Sequence, residues 1–231
     1  MRSWRFTALV LLCLAPALHA RAGRLEKWNR ALVGIDDALK AGKYAQARGE
    51  SIRVTRWMLE GLGSGPDAMY TLAVAGSFRA LAEAGLGNTS EAEWYWCVAT
   101  QLFPAFHGTN LAVYGRAGEL IRDFDRSLDV PPASSAQDLT RAVPPVVLRK
   151  AHAKYPMGAI DNGLAQVIVV EVTISRDGLA KRPRIVDTGW EPSLAFAALE
   201  AVKEWRFRPA SLDGQPVEFR FPLTVSFQLR Y

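Results

Sequence analysis

The chain predicts an α+β protein: all-α helical hairpins come first, and a small β-β-α-β unit with an antiparallel three-stranded sheet follows. Three observations carry that prediction. From about Leu25 to Phe124 apolar residues recur at helical spacing, and the pattern is interrupted at glycines rather than by strand-like runs. From Val217 onward the period drops to two, so that Val217, Phe219, Phe221, Leu223, Val225, Phe227 and Leu229 share one parity while charged and polar residues hold the other. Between the two patterns, Val130-Pro131-Pro132 opens a Pro/Ser-rich linker that ends near Pro144-Pro145. The organisation read from these shifts is a leader over residues 1–22, a helical region over 23–128, a linker over 129–145 and a β-rich domain over 146–231.

At the N-terminus, Arg2 and Arg5 precede an apolar run from Thr7 to Leu18 that ends in Ala20-Arg21-Ala22. A basic start, a short apolar run and small residues at its end predict a signal peptide, with an uncleaved anchor as the alternative. The run is shorter than the roughly 20 apolar residues a membrane helix requires. The chain has two cysteines. Cys13 lies in the leader, so only Cys97 remains beyond it, which leaves no intramolecular disulfide and no cysteine-rich metal site. Cys97, among Trp94, Trp96 and Ala99, reads as a small buried hydrophobe.

Ala31, Leu32, Ile35 and Leu39 predict a first helix ending at Gly42, and a second runs to about Met58. The glycines at 61, 63 and 65, before Pro66, read as a helix–helix connection: no strand precedes them and no Gly-Lys-Ser/Thr follows. A third helix is expected over Asp67 to Ala84, a fourth ends near Phe103-Pro104, and another spans about Leu111 to Phe124. The second helix pair resembles a tetratricopeptide repeat through Gly87, Ala92, Trp96, Ala99 and Pro104, and the first pair does so more weakly through Gly42, Tyr44 and Ala47. A packing unit is the preferred reading over a peptide-binding groove.

In the C-terminal domain a short helical turn is expected around Val147, Leu148 and His152. A strand follows over Val167 to Ile174, then a turn at Arg176-Asp177-Gly178 and a second strand over about Arg184 to Thr188. An amphipathic helix is expected from Pro192 to Trp205, with Trp205 and Phe207 closing it and Pro209 stopping it. Asp213-Gly214 and Pro216 supply the turn into one long final strand.

The segment from about Pro144 to Tyr231 resembles the C-terminal domain of TonB energy transducers. The matching pieces are Tyr155-Pro156, Ala165-Gln166-Val167, Asp177-Gly178, the run from Ala197 to Val202, the run from Trp205 to Ala210, and the run from Asp213 to Val217. The resemblance implies a periplasmic domain that grips an extended peptide, the TonB box of outer-membrane transporters, by strand addition to the edge of the final strand. It places recognition on the strand bearing Phe219, Phe221, Leu223, Val225, Phe227 and Leu229, with Tyr155 and Pro156 nearby. It gives Gly178, Trp205, Phe207, Pro209, Ala210 and Gly214 structural roles. Departures are Ala165 in place of a glycine, Asp187-Thr188-Gly189 in place of Ser-Ser-Gly, and helical hairpins in place of a membrane helix and long Pro-rich spacer.

The expected partners are therefore outer-membrane receptors or other envelope proteins, with a homodimer through the same edge as a further option. The alternative function is a periplasmic adaptor that uses both modules without transmitting force. A formal charge of +5, part of it from Arg2 and Arg5, does not form the basic stripe of a nucleic-acid binder. His107 and His152 fall in different modules, and Glu200 and Glu204 read as a solvated helix face beside Lys203. No cofactor, metal, catalytic residue or small-molecule substrate is expected.

Overall fold

A computed structural model describes residues 19–61, 66–128, 141–186 and 189–229. The predicted leader up to residue 18, and the predicted linker over 129–140, lie outside the described residues.

Among the described residues the helical region has five α-helices: α1 (His19–Lys40), α2 (Tyr44–Gly61), α3 (Pro66–Gly85), α4 (Thr89–Leu102) and α5 (Gly115–Ser127), with single 3-10 turns at Pro104–Phe106 and Ala112–Tyr114 before α5. The α1–α2 and α3–α4 turns use the same device. Gly42 and Gly87 both adopt positive φ, at 70° and 80°. In each turn the glycine N–H and the next N–H reach back to the helix: Gly42 to Leu39 and Lys43 to Ala38, then Gly87 to Ala84 and Asn88 to Glu83. These are Schellman caps, and the left-handed position explains the glycine. The core of the pair is Trp96, Tyr95, Ala92 and Ala99, all buried. Glu83, only 1% exposed, accepts from Arg79 Nε at 2.8 Å and Asn88 Nδ2 at 2.8 Å, and pairs with Arg48 Nε at 3.2 Å. One buried carboxylate thus ties α2, α3 and the head of α4 together.

The C-terminal domain contains β1 (Val146–Arg149), a short α6 (Met157–Asp161), β2 (Gln166–Ile174), β3 (Ala180–Ile185), α7 (Pro192–Lys203), β4 (Arg206–Arg208), β5 (Ala210–Leu212), β6 (Gln215–Val217) and β7 (Phe219–Phe227). The main sheet is antiparallel in the order β3-β2-β7. Its β2–β7 register runs without a break from Gln166↔Phe227 to Ile174↔Phe219. Helix α7 opens with Glu191 as a cap, whose Oε2 accepts from the N–H groups of Ser193 and Leu194 at 2.8 and 2.9 Å.

Four expectations are corrected. Residues 146–149 form a strand rather than a helical turn, because β-branched Val146 and Val147 pair with Arg208 and Phe207 of β4. Helix α7 ends at Lys203, two residues before Trp205, and Phe207 lies in β4. Pro209 therefore separates two strands and does not stop the helix. The second strand begins at Ala180, since Ser175 and Leu179 close a tight turn around Gly178 and the ladder resumes at once. A bulge follows at Arg182, whose φ is 49°. The final strand is interrupted at Glu218: β6 pairs with β5 across Asp213-Gly214, both at positive φ, and β7 pairs with β2.

Helix α7 is buried on nearly every side. Its Ala195, Ala198, Leu199 and Val202 are buried as expected, and Phe196, Ala197 and Ala201 on the opposite side are buried as well. The second covering is the helical region. Lys203 Nζ pairs with Glu91 Oε2 at 2.7 Å and donates to Tyr95 Oη at 2.9 Å. Apolar residues from Trp28 to Phe227 consequently form one continuous core.

Candidate peptide-binding edge

A three-stranded sheet has two edges, and the chain treats them differently. At the β3 edge, Ile185 N–H donates to Gln101 Oε1 at 3.0 Å, and Gln101 Nε2 donates to the Ile185 carbonyl at 3.4 Å. The side-chain amide of α4 thus stands in for a neighbouring strand. At the β7 edge no strand pairs with the outer side among the described residues.

The backbone orientation of β7 follows from one hydrogen bond two strands away. Val169 accepts from Val186 N–H at 3.0 Å, so the polar groups of Val169 face β3 and not β7. Its register partner Thr224 therefore turns its own N–H and C=O outward. By alternation Arg220, Pro222, Thr224 and Ser226 face outward, while Phe219, Phe221, Leu223, Val225 and Phe227 spend their backbone groups on β2. Pro222 fits this parity, because its missing N–H falls on the open side.

The residues expected at the site are placed as follows. Leu223, Val225 and Phe227 are buried on the core face, Phe219 and Phe221 are half-buried there, and half-buried Leu229 lies beyond the end of β7. Tyr155 packs edge-on against Phe227, with ring centroids 5.3 Å apart, and its hydroxyl donates to the Leu164 carbonyl. Pro156 is buried and starts α6.

The family-motif residues form a separate structural cluster. Gly178 has φ 76°, and a Cβ there would lie 2.0 Å from the Phe207 carbonyl oxygen. The Phe207 N–H donates to the Gly178 carbonyl at 3.0 Å. The Trp205 indole donates to the Ala151 carbonyl at 2.9 Å, and its ring lies 6.3 Å from that of Phe207. Ala210 is fully buried in β5, and Gly214 completes the β5–β6 turn. Asp177-Gly178 and Trp205-Arg206-Phe207 are thus two halves of one contact.

Residues 151–229 match the family model described as the Gram-negative bacterial TonB protein C-terminal. Residues 151–229 are a TonB C-terminal domain. The chain is also similar to Protein TonB of Vibrio cholerae serotype O1 (strain ATCC 39315 / El Tor Inaba N16961), at 29% identity over 86 residues, which cover 37% of this chain. The chain spans 35% of that relative's length. Strand β1 lies before the matched segment, yet it completes the TonB C-terminal domain by pairing with β4.

Sequence reasoning missed two features of the surroundings. Glu200 does not lie on a solvated face: it sits between the modules, where its Oε2 accepts from Tyr95 Oη at 3.2 Å and its Oε1 is sealed without a partner. Burial pushes its carboxyl above the usual range, against the opposing pull of Lys203. The alanine-rich, all-round apolar character of the run from Leu194 to Val202 carried that signal. Gln101 carried none, since its partner is far along the chain. Among the described residues, no group of three or more His, Cys, Asp or Glu is placed to hold a metal, and no helix is long and apolar enough to cross a membrane.

Proposed function

We propose that the TonB C-terminal domain takes an extended segment of an outer-membrane transporter, its TonB box, as an added strand along β7, and so serves TonB-dependent transport from the periplasm. The observation that carries this reading is the difference between the two sheet edges: α4 occupies the outer side of β3, and β7 keeps a row of outward backbone groups. The donors offered to the peptide belong to Arg220, Thr224 and Ser226, and Pro222 contributes a carbonyl alone. Phe219, Phe221, Leu223, Val225 and Phe227 hold the strand in place from the core side, and Tyr155 braces its end through Phe227. The chain acts by binding and not by catalysis.

A second reading, an adaptor that binds envelope proteins without transmitting force, is favoured by the docking of α4 onto α7 and β3. The helical hairpins then act as a packing unit that fixes the orientation of the domain. Fluorescence polarisation of labelled transporter peptides against the full chain tests the edge. Saturable binding that Thr224→Pro abolishes supports it, and equal binding by wild type and Thr224→Pro refutes it.

A further inference from the structure

Where the two modules meet, α2 and α7 face each other across a cleft of about 340 Å³ that also takes in α3, α4, the segment 151–156 and the first residue of α6. Its lining is mostly apolar, with Ile52 and Leu59 from α2, Phe196 and Ala201 from α7, and Pro156 and Met157 from the segment between. The charges around it come in both signs: Arg56 and Glu60 on α2, Arg79 on α3, Lys154 on the segment, and Glu200 and Glu204 on α7. They cancel, so the cleft selects for neither charge. Glu200 lines the cleft as well, but its unpartnered Oε1 has no accessible surface, so what the wall offers an occupant is mainly apolar area.

The volume sets the size of the occupant. An apolar cavity of about 150 Å³ holds benzene, and this one is roughly twice as large. We propose that the cleft is a ligand site for an uncharged hydrophobic molecule of two or three rings. The small side chains Ala197 and Ala201 keep the α7 wall open to it. This site is separate from the β7 edge: His152, Lys154 and Pro156 line the cleft, and the intervening Tyr155 packs on Phe227.

Phenylnaphthylamine, a neutral three-ring amine that fluoresces in apolar surroundings, tests the site on the full chain. Saturable binding is expected with a dissociation constant on the order of 10 μM. Ala197→Phe, which fills the cleft, should weaken binding at least about tenfold, and the smaller Ala201→Leu should act in the same direction with an unchanged thermal midpoint. Thr224→Pro should leave the dye unaffected, so failure here and failure of the edge reading are distinguishable. Absence of saturable binding, or equal binding by the wild type and by both Ala197→Phe and Ala201→Leu, overturns the proposal. Tighter binding of the sulfonated analogue, anilinonaphthalene sulfonate, overturns it as well.

Discussion

Two prolines placed one residue apart should have opposite consequences. Val225 pairs with Ile168 and turns its N–H toward β2, while Thr224 pairs with Val169 and turns its N–H to the open side. Val225→Pro removes a ladder bond and leaves an acceptor unmet beside Ile168, which is 0% exposed. A lost bond costs about 0.5–1.5 kcal/mol and a buried unsatisfied group about 1–3 kcal/mol, so the sum is roughly 2–4 kcal/mol. At about 2–4 °C per kcal/mol for a chain of this size, the midpoint should fall by roughly 5–15 °C. Thr224→Pro removes a donor on the outer side of β7, where no strand among the described residues pairs with it, and should change stability by about 0.5 kcal/mol or less. In the complex it denies the incoming strand a bond and strands one of its acceptors, which should weaken binding about tenfold or more. Thermal unfolding and peptide titration of the two variants, run side by side, separate these effects. If Thr224→Pro lowers the midpoint as much as Val225→Pro does, the backbone parity assigned to β7 is wrong.

Three further outcomes are expected. Gly178→Ala should destabilise the domain by at least about 2 kcal/mol in urea denaturation, since it combines a positive φ with a Cβ placed against the Phe207 carbonyl. Glu83→Ala should cost about 3 kcal/mol in the same assay, because Arg79 at 15% side-chain exposure loses its partner along with Arg48 and Asn88. Burial alone would raise the Asp125 carboxyl, but bonds from the Gly108 N–H, the Trp96 indole and the His107 ring outweigh it and hold it below the usual range. A lowered carboxyl contributes stability that is present above its unfolded value and is lost as the pH falls through its folded value. Asp125→Asn should therefore flatten the acid limb of the stability–pH curve, measured as the thermal midpoint at successive pH values below the usual aspartate range.

What the sequence made legible was local. Gly42 and Gly87 announce their turns because the left-handed cap position favours glycine whatever surrounds it. The alternation from Phe219 to Phe227 is visible because one face is buried and the other wet along the whole strand. What escaped was non-local. Val146-Val147 became a strand only because Phe207 and Arg208 arrive opposite them, and no periodicity in four residues shows that. Glu83 looked like any helical carboxylate until Arg48 and Arg79 converged on it. Glu200 reads as exposed in the sequence because the surface that covers it comes from α4, through Tyr95 and Glu91, far along the chain. The parity of the free edge was equally hidden: apolar alternation shows which side chains are inside, while the outward backbone belongs to the polar residues between them.

Pro222 gives that edge a grammar of its own. It leaves a gap in the row of donors between Arg220 and Thr224, so a visiting strand finds an unbroken set of bonds only toward the C-terminal end of β7. Two copies of the domain meeting edge to edge would each bring the same gap, and an endless ladder of copies would meet it at every joint. One imino acid thus thins the row of bonds that any strand added along β7 would find, and thins it twice where two copies would meet.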